Sequence, residues 1–301
     1  MQEPAARWGW RGRANRLIGG PVRLPATAEE LKHRAARRQL LRPFSRTMTI
    51  VVANPKGGAA KTPSTLMAAA TLGNHRGGYT LAWDNNETRG TLGLRAEVSH
   101  HDHTVVDLLH NIDRFLQAQA SVGSLAGYLR PQSAHFDVLA SDEVPGRMEM
   151  IDDRAFAQLR EALSRFYRVM VVDTGNNVRA ANWRAATEAA DCLIVPTTVQ
   201  SDTADTGLWM LDHLTKIGRA DLVSNAVAIV SCADPSTDMQ LLYDVVARYQ
   251  QVVRKVMVVP FDPLIRAGGR MTFDQVSVPT RRAWQLACAE IVHSLAARDA
   301  G

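Results

Sequence analysis

At 301 residues, with 46% hydrophobic and 22% charged side chains, the chain is long enough to bury a large core without covalent staples. Three widely spaced cysteines, Cys192, Cys232 and Cys288, form neither a disulfide framework nor a metal-ligand pair, which predicts core thiols and a reducing, cytoplasmic setting. No run approaches the roughly 18 apolar residues of a membrane span, and the arginines near the start are not followed by an apolar signal core, so no transmembrane segment is expected.

The formal charge of +5 is unevenly placed. Residues 1–46 hold eleven Lys/Arg against three acids, a local +8 that leaves the other 255 residues at −3. Within this segment, residues 1–26 are rich in Gly and Arg and lack periodicity, which predicts a mobile arm. Trp8 and Trp10 among its arginines suit stacking on nucleic-acid bases or a membrane interface, or belong to a plain disordered tail. Thr27 and Glu30 have capping-box spacing, and a short basic helix should run from there until Arg42-Pro43 stops it. The expected organisation is therefore a basic arm with a short helix over 1–46 and one folded domain over 47–301.

From Met48 onward apolar runs alternate with helical patterns. This predicts an α/β, doubly wound, mostly parallel sheet with helices on both faces. Strands are expected at 48–53, 79–84, 136–140, 169–173, 192–196, 226–231 and 256–260. Helices are expected at 61–75, 104–117, 152–166, 203–217, 239–250 and 279–297. His100-His101-Asp102-His103 is dense in metal-ligand types, but consecutive side chains splay around a loop, so a solvated loop is expected there.

The first strand runs into Asn54-Pro55-Lys56-Gly57-Gly58-Ala59-Ala60-Lys61-Thr62 and then at once into an Ala/Leu-rich helix. Strand, small-residue loop, Lys-Thr and helix in that order predict a P-loop. The glycines let backbone N–H groups face phosphate oxygens, the helix N-terminus favours negative charge, Lys61 reaches the β/γ-phosphates and Thr62 offers a hydroxyl to Mg²⁺. The alternative is a tight turn with two surface lysines. Only five of the 35 cationic residues are lysines, so two in one short loop are hard to treat as background.

With Lys56 before Gly57-Gly58, the chain resembles the MinD/ParA family of deviant-Walker P-loop ATPases. The segment Arg76 to Asp84 resembles the family's second strand, Tyr167 to Thr174 its Walker B strand, and Ala190 to Pro196 and Val259-Pro260-Phe261-Asp262 its later landmarks. A weaker match is to actinobacterial ParA-like proteins associated with plasmids or type VII secretion. The resemblance implies ATP and Mg²⁺ as cofactors. Nucleotide contacts fall to Gly57, Gly58, Ala59, Ala60, Lys61, Thr62, Pro63, Pro260 and Asp262, and the metal to Thr62, Asp84 and Asp173. Lys56, Asp84 and Asn86 take the catalytic positions, with Lys56 crossing to the partner's phosphates in a homodimer or higher assembly. It further implies positioning or partitioning of a cargo, non-specific DNA contact, and a partner protein that stimulates or recruits the ATPase. The alternatives are a non-hydrolysing scaffold or filament former, and a type VII secretion accessory ATPase.

Three departures fall on working positions. Ala60 replaces a glycine, and if the backbone there has positive φ its Cβ costs on the order of 1 kcal/mol. Pro63 fits a first helical turn but has no N–H for a phosphate. Asn86 stands where the family has an aspartate that supports hydrolysis, so weak or absent turnover is expected unless Glu87 substitutes. The last helix lacks a basic amphipathic tip, so a membrane anchor there is not expected.

Overall fold

A computed structural model of the chain describes residues 4–18, 23–86, 90–117, 119–142 and 151–299. Glu87, the alternative hydrolytic group, lies outside them. The strands β1 (Met48–Val52), β2 (Thr80–Asn85), β3 (Arg130–Gln132), β4 (Phe136–Leu139), β5 (Val169–Thr174), β6 (Cys192–Thr198), β7 (Val227–Ser231) and β8 (Lys255–Val259) form one sheet in the order β3-β4-β2-β5-β1-β6-β7-β8. Every pairing is parallel except β3 with β4. All seven expected strands form. The unexpected β3 is three residues long and contains Pro131, which an edge strand tolerates because it need not donate there.

β1 lies at the centre, between β5 and β6. Its Met-Thr-Ile-Val-Val run is buried on both faces, as a parallel strand covered by two helical layers requires. The chain crosses from β1 over β5 to reach β2, whereas β6 lies on the other side of β1. That reversal of direction puts the loop after β1 at the sheet's topological switch point, where open α/β sheets bind ligands.

Two cores flank the sheet. One is closed by helices Asp153–Ser164, Ala181–Glu188, Ser201–Lys216 and Met239–Gln250, with Trp83 stacked on Phe156 at 4.7 Å. The other is closed by α2 (Ala28–Leu40), α3 (Lys61–Arg76) and the last helix, Val278–Asp299. α3 packs closely because Gly73 has no side chain. A Cβ there would come within 2.5 Å of the His135 carbonyl oxygen. The helix expected over 104–117 is broken at Asn111 into Val105–His110 and Ile112–Leu116. Among the described residues no helix is long and apolar enough to cross a membrane.

The N-terminal segment departs from the expected mobile arm. Where it is described it folds into α1 (Gly9–Ile18) and α2, and α2 packs on the last helix. Trp8 packs between His33, 5.2 Å away, and the Arg282 guanidinium, 4.2 Å from its ring centroid. Asn15 Nδ2 donates to Ala6 O and Leu24 O, and its Oδ1 accepts from Leu24 N. Thr27 Oγ1 caps Glu30 N as its spacing predicts, but the buried Glu30 carboxylate does not complete the box. It accepts from the backbone N–H groups of Arg7 and Trp8 and from Arg34. These ties have no periodicity, so the sequence pattern does not reveal them.

Candidate functional site

The loop between β1 and α3 is pinned from behind by Asn54. Its buried side chain donates to Pro196 O and Thr203 O and accepts from Lys56 N, fixing the loop to β6 and to the helix after it. Gly58 has φ +82°, and Ala60, at the N-cap of α3, has φ +67° and ψ +31°. The position that the sequence fills with alanine is therefore left-handed, where an L side chain costs about 1 kcal/mol relative to glycine. Pro63 sits in the first turn of α3 and Ser64 N closes that turn onto Ala60 O.

Gly57, Gly58, Ala60, Lys61, Thr62 and Pro63 form one wall of a cavity of about 440 Å³ at the carboxyl ends of the strands, which Asn86, Pro260 and Asp262 also line. Ala59, within the loop, is fully buried and does not line the cavity. Lys61 Nζ donates to Asn176 Oδ1 at 2.6 Å and to Lys56 O at 3.2 Å. Lys56 points away from the cavity, its Nζ 3.1 Å from Asp202. Asp262 caps helix Pro263–Ala267 by accepting from Leu264 N and Ser277 N. Although burial works to raise its pKa, those donors hold its carboxyl below the ordinary range.

Asp84 and Asp173 are register partners on β2 and β5. Both oxygens of Asp84 are taken. One accepts from the backbone and side-chain nitrogens of Asn86, the other from Leu92 N and the Ser141 hydroxyl. Gly90 permits this closure, since a Cβ there would overlap the Asp84 carboxylate. Asp84 therefore organises the segment after β2. Asp173 is different. Its Oδ2 accepts from the Thr62 hydroxyl at 2.6 Å, while Oδ1 is buried with no hydrogen-bond partner. Burial and, next, the facing charge of Asp84 push its carboxyl up. A buried carboxylate oxygen without a partner beside a hydroxyl is the arrangement a divalent cation would complete, so these residues fit Mg²⁺.

Sequence reasoning missed Asn176, Thr91 and Arg95 as cavity residues. Thr91 Oγ1 lies 3.0 Å from Thr62 Oγ1. Only Asn176 left a trace in the sequence, three residues after Asp173. The His100–His103 loop is used structurally, with His101 Nε2 on Leu129 O and His103 Nδ1 on Gly127 O.

No known protein-family model matches the chain. Among solved structures, a ParA family ATPase from Chlorobium tepidum TLS superposes with a TM-score of 0.63 at 18% identity, covering 80% of this chain and 98% of that one. The chain has the ParA/MinD P-loop ATPase fold. MinD from Pyrococcus horikoshii OT3, solved with Mg-ADP, gives a TM-score of 0.60 at 19% identity over 84% of this chain and 98% of its own. At the level of sequence, the ESX-1 secretion-associated protein EspI of Mycobacterium tuberculosis is 25% identical over 243 residues. That match covers 80% of this chain, but the chain spans only 36% of the length of the curated relative. On the ParA/MinD fold, the residues read as its landmarks, Lys56, Lys61, Thr62, Asp84 and Asp173, lie on or just after β1, β2 and β5 at one end of the sheet.

Proposed function

We propose that this chain is an ATP-binding, dimer-forming ParA/MinD-like protein of the cytoplasm that partitions or positions DNA or another cargo, with weak or absent hydrolysis. The observation that carries the reading is the junction of Lys61, Thr62 and Asp173, where a lysine, a hydroxyl and an unpartnered buried carboxylate oxygen meet at the start of a helix. Backbone N–H groups of residues 57–62 and the Lys61 ammonium would hold the phosphates, and Thr62 and Asp173 the metal. Bound Mg²⁺ supplies charge neutralisation for the phosphate oxygens. Pro260 and Asp262 would form the wall at the base end, with Asp262 acting through the backbone it orders.

Asn86 carries the hydrolytic part of the proposal. Its amide nitrogen donates to Asp84, so it is held facing that carboxylate, and an amide cannot take a proton from an attacking water. In the dimeric assembly Lys56 leaves Asp202 for the nucleotide of the second subunit. The ion pair it gives up is half-exposed and of little energetic weight. The α1/α2 cap provides a fixed basic surface for non-specific DNA. A second reading, an accessory ATPase of a secretion system, is favoured by the similarity to EspI and makes the same cap a protein-docking element.

Sedimentation with Mg-ATP and a single-turnover hydrolysis assay test the proposal together. A dimer that forms with Mg-ATP, is lost in Lys56→Ala, and turns over far more slowly than Ala60→Gly/Pro63→Thr/Asn86→Asp is expected. Brisk wild-type hydrolysis would contradict the reading of a degenerate site.

A further inference from the structure

Among the described residues, the charged side chains on the cavity wall besides Lys61 are Arg95, Arg266 and Asp262, and the Asp262 oxygens already accept backbone N–H groups. The described wall therefore carries more cations than the first turn of α3 supplies, and Asp173 is the acidic group whose charge acts on Arg95. Arg95 ends the short helix Leu92–Arg95, whose preceding residue, Thr91, places its hydroxyl against that of Thr62. The Arg95 backbone is held by Met271 N, which donates to its carbonyl, and Nη2 donates to Ile265 O at 2.9 Å. Its Nε is buried and has no hydrogen-bond partner.

A buried guanidinium N–H without a partner is destabilising, because the hydrogen bond it made with water is not replaced. Such a group is tolerated where a ligand completes it, and the fork of a guanidinium matches two phosphate oxygens. We propose that Arg95 is a phosphate-binding residue of this cavity, contacting the phosphates of a nucleoside di- or triphosphate beside Thr62 and offsetting what Ala60 and Pro63 remove from the loop. The inference rests on the nucleotide reading and adds to it. The ordinary cradle loses one backbone donor at Pro63, and here a side-chain cation enters from the segment after β2. Its anchor on Ile265 O ties the phosphate end of the cavity to the base end, so binding through Arg95 would order the 263–271 segment.

Titration calorimetry of the full chain with Mg-ADP at two salt concentrations, on wild type, Arg95→Met, Arg95→Lys and Lys61→Ala, tests this. Arg95→Met keeps the apolar stem and removes the charge. It should weaken Mg-ADP binding about tenfold or more and flatten the salt dependence, with Arg95→Lys recovering part of both. Thermal melts of the variants without ligand report folding independently. Arg95→Met with affinity within about twofold of wild type would overturn the proposal. So would equal losses in Arg95→Met and Arg95→Lys with unchanged salt dependence, the signature of a packing role through Ile265 alone. If wild type binds no Mg-ADP, the nucleotide reading and this proposal fall together. If wild type binds and only Lys61→Ala fails, the reading stands and the role of Arg95 does not.

Discussion

Thr62 gives its hydroxyl hydrogen to Asp173 Oδ2 at 2.6 Å, tying the first turn of α3 to the end of β5 and leaving the other carboxylate oxygen buried with no partner. Burial and the neighbouring Asp84 raise the folded-state pKa of Asp173 above its unfolded value. The folded chain then holds a proton that the unfolded chain has lost, so this group's contribution to stability is lost as pH rises from the ordinary carboxylate range through the folded value. Mg²⁺ binds the ionised form and should reverse the trend. Thermal melts at pH 5 and pH 8, with and without Mg²⁺, should show metal stabilisation only at the higher pH. Asp173→Asn should remove it and raise the metal-free Tm at pH 8.

Ala60 offers a separate test of the loop. Its φ of +67° favours glycine by about 1 kcal/mol, partly offset by the greater freedom of glycine in the unfolded chain. Ala60→Gly should therefore raise urea-unfolding stability by up to about 1 kcal/mol with an unchanged m value, and should tighten nucleotide binding. A loss of stability would mean that the left-handed assignment is wrong.

Much of this was legible in the sequence, and the reasons are local. β1 and the loop to Lys61-Thr62 could be read because a buried parallel strand is a continuous apolar run and a phosphate loop demands small residues. The left-handed conformation at Ala60 could be posed as a condition but not decided, since alanine gives no signal for positive φ. What stayed hidden depends on long-range pairing: Asn54 reaching β6, Arg95 reaching Ile265, and Glu30 accepting from residues more than twenty positions earlier. The packing of the arm is hidden for the same reason. Trp8 is held by Arg282, a contact no window of neighbouring residues contains. The metal and catalytic roles given to Asp84 come from the family resemblance, whereas its four donors, from residues up to 57 positions away, show no local pattern.

Glu30 should make the docking of α1 sensitive to acid. Burial works to raise its pKa, but the N–H groups of Arg7 and Trp8 and the charge of Arg34 outweigh burial and leave it below the ordinary carboxyl value. A lowered folded-state pKa gives stability that is present at neutral pH and lost as pH falls through it. Trypsin should cut the arginines of α1 slowly at pH 8. Glu30→Gln should speed that cleavage several-fold without changing the Tm of the main domain, and in the wild type the Trp8 environment, followed by fluorescence, should change only as pH falls below the ordinary carboxyl range.

The basic cap predicts how any DNA binding responds to salt and to substitution. Arg13, Arg16, Arg37 and Arg38 are exposed, so replacing all four with alanine should leave the fold intact. Truncating residues 1–42 would instead strip the buried Ala36 and Leu40 from the core. Wild-type affinity for random duplex DNA should fall linearly with salt on logarithmic axes, and the fourfold variant should bind weakly with a shallower slope. Equal binding by the variant would place the DNA footprint elsewhere on the domain.

The account stands on nucleotide binding at the loop after β1, and calorimetric titration of wild type and Lys61→Ala with Mg-ATP is its most direct test. Saturable, Mg²⁺-dependent binding by the wild-type chain, lost in Lys61→Ala while its ligand-free Tm is unchanged, is the predicted result. Equal affinity in the two proteins, or no heat from the wild type at millimolar Mg-ATP, would contradict it.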